Sequence, residues 1–100
     1  MSQKFLLKDA TAPVTGEACN HEVTNWTVQG TVAGTGAVAA VIDIQVSNDN
    51  IGWLTIGTIT LSGTNSASDG FAANASWQLI RAKLNSISGT GAKVNVAICK

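Results

Sequence analysis

Apolar and polar residues alternate over most of this chain, and a period of two marks half-buried strands. In residues 24–32, Trp26, Val28, Gly30 and Val32 share one face; Asn25, Thr27, Gln29 and Thr31 share the other. In residues 37–46, Val38, Ala40, Ile42, Ile44 and Val46 face one way, opposite Asp43 and Gln45. A slip of one residue here would bury Asp43 at a large desolvation cost, so the register is strongly specified. In residues 53–61 the phase changes. Leu54 and Ile56 hold one phase and Ile59 and Leu61 the other, which predicts a bulge at Gly57-Thr58. Residues 77–87 put Ile80, Ala82 and Leu84 inward and Arg81 and Lys83 outward. Residues 93–99 repeat this with Val94, Val96 and Ile98 against Lys93 and Asn95.

The breaks between these runs are rich in turn formers. Ser47-Asn48-Asp49-Asn50-Ile51-Gly52 predicts a tight reversal closed by Trp53, because Asn, Asp and Gly accept left-handed backbone angles with little strain. Residues 33–36, 62–70 and 88–91 read as loops and turns. Residues 71–76 either wrap an edge or form one helical turn. Residues 5–8 read as a short strand or an ordered arm. Residues 9–22, with Pro13 and Gly16, read as an extended connection. The expected fold is all-β: a small antiparallel sandwich or barrel of about six short strands. It occupies residues 23–100 and is preceded by an N-terminal arm over residues 1–22.

One hundred residues, 45% of them hydrophobic, suffice for one domain with its own core. Only 12% are charged, and six Lys and Arg balance six Asp and Glu. That balance leaves no basic face for nucleic acid. The low charge fits a surface partly covered by a partner, or one solvated by Ser, Thr and Asn instead. The apolar run Phe5-Leu6-Leu7 is too short for a secretory leader, and no stretch approaches the ~20 apolar residues of a membrane helix. Synthesis in a cytoplasm, with no membrane partner, is the expectation. Such a setting favours free thiols at Cys19 and Cys99 over a bridge between them.

Little chemistry is in place. Cys19-Asn20-His21 has the residue types of a nucleophile and base, but no third group orients them. Asp49 suits turn amides and Asp69 the backbone before Phe71. Asn48, Asp49 and Asn50 carry cation-binding oxygens but lack the Glu of a calcium loop. Neither Gly34-Thr35-Gly36 nor Gly89-Thr90-Gly91 has the Lys and following helix of a phosphate loop. No enzyme activity, metal or cofactor is expected. Of three Trp, Trp26 reads as core. Trp53 is out of phase with its strand and folds over its turn or offers a stacking surface. Trp77 caps the sandwich or lies at an interface.

The series Ile44 to Asp49, Gly52 to Gly63, Ala67 to Phe71, Trp77 to Ala82 and Ser86 to Val94 resembles small structural proteins of tailed bacteriophages. The likeness spans about residues 37–98. It implies a β-sandwich that decorates capsids or builds tail and fibre parts. The expected role is a capsid decoration or cement protein on the virion surface, made in the host cytoplasm. Its partners would be the phage major capsid protein and neighbouring copies of itself, with homo-oligomers a further expectation. Phe5, Leu6 and Leu7 of the arm, with Trp53 and Trp77, are the expected partner-binding residues. The alternative is a tail- or fibre-associated module that recognises a carbohydrate or host surface through Trp53, Asn48 and Asp49.

Overall fold

The computed structural model describes residues 3–16, 19–20, 25–74 and 78–99. Every regular element among them is a strand: β1 (Gln3–Ala10), β2 (Val14–Thr15), β3 (Cys19–Asn20), β4 (Asn25–Ser47), β5 (Leu54–Asn74) and β6 (Leu79–Cys99). They form one antiparallel sheet in the order β1-β6-β4-β5, and β2 and β3 also pair with β6. The predicted all-β fold is therefore observed. Six strands are present, as expected, but β4, β5 and β6 are far longer than the short strands predicted.

The length of β4 forces the sheet to fold over. Twenty-three residues at ~3.3 Å each would reach about 75 Å, whereas the longest dimension of the molecule is 39 Å. The bend lies where loops were predicted. Gly36, Asn65, Gly89 and Gly91 all have positive φ, at 77°, 65°, 125° and 63°. The Gly36 amide donates to Asn65 Oδ1 at 2.9 Å, which ties the bends of β4 and β5 together. Residues 33–36, 62–70 and 88–91 are thus corners within paired strands rather than connections. Residues 71–74 continue β5 and are not helical.

Folding brings the two halves of the sheet face to face around one core. Trp26, Val28, Val32, Val38, Ala40, Ile42, Ile44 and Val46 line the inner face of β4 with unbroken parity. Ile80, Ala82, Leu84, Val94, Val96 and Ile98 do the same from β6. Gly30 is the gap that lets the layers approach: a Cβ there would lie 3.0 Å from Ile42 Cδ1 and 3.3 Å from Ile59 Cγ2. The expected bulge in β5 is present, one residue earlier than the phase change suggested. Gly57 pairs with Ile44 and Thr55 with Gln45, so Ile56 is the extra residue.

Of the two readings of residues 5–8, short strand or ordered arm, the strand is observed, within β1. β1 pairs with the last residues of β6 through two register shifts. These irregularities let the consecutive residues Leu6 and Leu7 both turn inward, and both are buried. The Gly16 amide donates to Ala82 O at 2.8 Å and holds the following segment along β6. Cys99 is a half-buried free thiol. The side chain of Cys19, and all of His21, lie outside the described residues.

Candidate functional site at the hairpin end

The reversal between β4 and β5 is built as its residue types require. Ser47 is buried at the end of β4, and its Oγ accepts from the amides of Asp49 at 3.3 Å and Asn50 at 3.0 Å. Asp49 Oδ1 accepts from Ser47 Oγ at 3.0 Å, Ile51 N at 2.9 Å and Gly52 N at 3.0 Å. Asn50 takes the left-handed backbone at φ 62°. Asn48 Oδ1 accepts from Gln78 N at 3.0 Å and latches the turn to the start of β6. The expected roles of Asp49 and of Asp69, which accepts from Gly70 N at 2.8 Å, are both seen.

The amides of Ile51 and Gly52, with the Ser47 hydroxyl, hold the Asp49 carboxyl below its ordinary pKa of 3.8. A lowered folded-state value means that the turn is stabilised in full above the unfolded value. That contribution is lost as pH falls from there through the folded value. Asp49→Asn should therefore unfold at lower urea than the natural chain near neutral pH. The gap should close in acid. A gap that stays constant with pH would show that the carboxylate charge plays no part.

A polar network covers the outer face beside the turn. The Arg81 guanidinium lies 4.0 Å from the centre of the Trp53 ring. Its Nε donates to Gln45 Oε1 at 2.8 Å, and Gln45 Nε2 reaches Thr55 Oγ1 at 3.5 Å. Asp43, outward as expected, accepts from Thr58 Oγ1 at 2.9 Å and Asn85 Nδ2 at 2.7 Å. Both carboxylate oxygens are engaged, and no second carboxylate joins them in this network. Among the described residues no group of three His, Cys, Asp or Glu is placed to hold a metal.

What the hairpin end offers is apolar surface on a braced frame. Ile51 at the tip is 86% exposed, Leu54 57% and Ile56 37%. Sequence reasoning missed all three. The signal for Ile51 was present, since an isoleucine between Asn50 and Gly52 in a tight turn has no interior to enter. Leu54 and Ile56 were read as ordinary strand residues, although their reversed phase placed them beyond the core.

The expected partner-binding residues are scattered. Leu6 and Leu7 are core residues and present nothing to a partner. Phe5 is exposed and lies under Lys8 Nζ, 5.3 Å from its ring centre. It stands on β1, across β6 and β4 from the hairpin's own edge strand β5. Trp53 is half-buried beneath Arg81. Trp77 lies outside the described residues. Among the described members, Leu6 and Leu7 lie in the core while Phe5 and Trp53 stand at separate places on the sheet.

No family model and no curated protein sequence matches the chain. A solved structure shares its fold: the SPBc2 prophage-derived protein YomS, with a TM-score of 0.66 and 16% identity over 97% of this chain and 89% of that one. The likeness establishes the all-β architecture over nearly the whole of both chains.

Proposed function

We propose that this chain is a non-enzymatic structural protein of a tailed-phage particle, a decoration or cement protein that binds across coat-subunit seams. The observation that carries the binding role is the hairpin tip. Ile51 stands 86% exposed on a turn locked by Ser47, Asp49 and Asn48. A rigid frame presenting an apolar plug loses little conformational entropy on docking. The shared fold with a prophage-derived protein and the phage-like sequence series support the setting. The major capsid protein is the proposed partner, and shell stabilisation is the consequence.

The fibre alternative places a glycan on Trp53 with Asn48 and Asp49. Arg81 covers one face of that indole. Asn48 and Asp49 already direct side-chain oxygens to Gln78, Ile51 and Gly52. Decoration is the reading these contacts favour.

Ile51→Asp tests it. The chain should fold and melt as before, because residue 51 contributes nothing to the core. Binding to expanded, undecorated shells should weaken about 10- to 100-fold, the equivalent of one isoleucine no longer buried at an interface. Co-sedimentation and shell melting read the effect. Failure of the natural chain to bind such shells would end the decoration reading.

A further inference from the structure

We infer that the chain pairs with a second copy of itself through the free edge of β5, in an antiparallel ladder centred on Thr60. β5 is the last strand in the sheet order, and among the described residues nothing pairs with its outer side. Exposed edges are usually guarded by Lys, Pro, charge or irregular pairing. The opposite edge follows that rule: β1 carries Lys4, Lys8 and Asp9, has Asp9 at φ 51°, and shifts register twice. β5 contains no Lys, Arg, Glu or Pro. Its one charged residue, Asp69, lies beyond the Asn65 bend.

Between the bulge at Ile56 and that bend runs a regular segment, Gly57-Thr58-Ile59-Thr60-Leu61-Ser62-Gly63. It reads nearly the same in both directions about Thr60. A two-fold interface requires such self-complementarity, because each residue must suit its counterpart in the other copy. A foreign strand would impose no such requirement. Centred on Thr60, the ladder places Gly57 opposite Gly63, Thr58 opposite Ser62 and Ile59 opposite Leu61. Thr60 meets itself on the axis.

The chemistry of each row fits. Thr58, Thr60 and Ser62 are exposed, whereas Ile59 and Leu61 are buried. Hydroxyls therefore meet hydroxyls on the outer face, and the inner face continues the aliphatic row of the core. The sheet already uses such a pair: Thr31 and Ser68 are register partners across β4 and β5, with their hydroxyl oxygens 2.8 Å apart. A short edge ladder buries modest area, so the dimer should be concentration-dependent. Copies crowded on a surface would form it most readily.

Cysteine placement reads the register directly. Across the axis, two residues at position 60 would have Cβ atoms ~4.5–5.5 Å apart, which small adjustments bring within disulfide reach. Two residues at position 58 would lie about 13 Å apart along the ladder. Under mild oxidation Thr60→Cys should form covalent dimers about tenfold faster than Thr58→Cys. Thr58→Cys should match the natural chain, whose Cys19 and Cys99 set the baseline. Thr60→Lys places two ammonium groups on the axis and should sediment as a monomer with an unchanged melting curve. If that variant folds poorly, the cysteine pair decides. A natural chain that stays monomeric at millimolar concentration would overturn the inference. So would equal cross-linking at positions 58 and 60. Self-association and shell binding are separate measurements, and either can fail without the other.

Discussion

Trp26→Ala is expected to lower the unfolding free energy by ~3–5 kcal/mol. Trp26 is 2% exposed. It meets Phe71 edge to face, with ring centres 6.1 Å apart and planes at 75°. It sits near the start of β4, opposite Ala73 of the edge strand, and belongs to the buried core cluster. A domain of this size has only ~5–15 kcal/mol in hand. The loss should appear as a large drop in urea midpoint with the slope retained. A change under about 1 kcal/mol would mean that the site repacks freely or that the indole is not enclosed in solution.

Gly57→Ala should destabilise by ~1–3 kcal/mol, although a single methyl is added. A Cβ at residue 57 would lie 2.6 Å from both Cε2 and Cζ of Phe71. Phe71 arrives from the other half of the folded sheet and is held by Trp26, so the ring cannot swing clear without loosening that contact. The diagnostic is the double variant with Phe71→Leu. Once the ring is removed the alanine should be tolerated, and the pair should cost less than the sum of the singles by ~0.5–3 kcal/mol. Strict additivity would show that backbone entropy at residue 57, rather than the ring, sets the penalty. The same pair probes the fold, since residues 57 and 71 come together only if the sheet doubles over.

Much of this architecture was legible in the alternation alone. Ile42, Ile44, Val46, Ile80, Leu84, Val94, Val96 and Ile98 point inward as their parity requires, because a strand's side chains must alternate. The Asp49 turn was equally readable, since a short carboxylate flanked by Asn48 and Asn50 in a tight turn has few better partners than the next amides. The candidate site was legible only at Ile51, whose place in a tight turn leaves it no interior to enter. The exposure of Leu54 and Ile56 depends on where a bulge and a strand edge fall. The cover on Trp53 comes from Arg81 on β6, with β4 lying between β6 and the strand that Trp53 precedes.

By itself the sequence determined which faces are apolar, where the chain can tolerate left-handed backbone, and that the product is all strand. Tertiary structure alone decided that Gly36, Asn65, Gly89 and Gly91 are corners of three continuous strands rather than ends of shorter ones. It also decided that Leu6 and Leu7 belong to the core. The reason is physical. A glycine or asparagine at positive φ serves a loop and a sheet corner equally well. Only the ladder hydrogen bonds on either side distinguish the two, and those are made by partners tens of residues away.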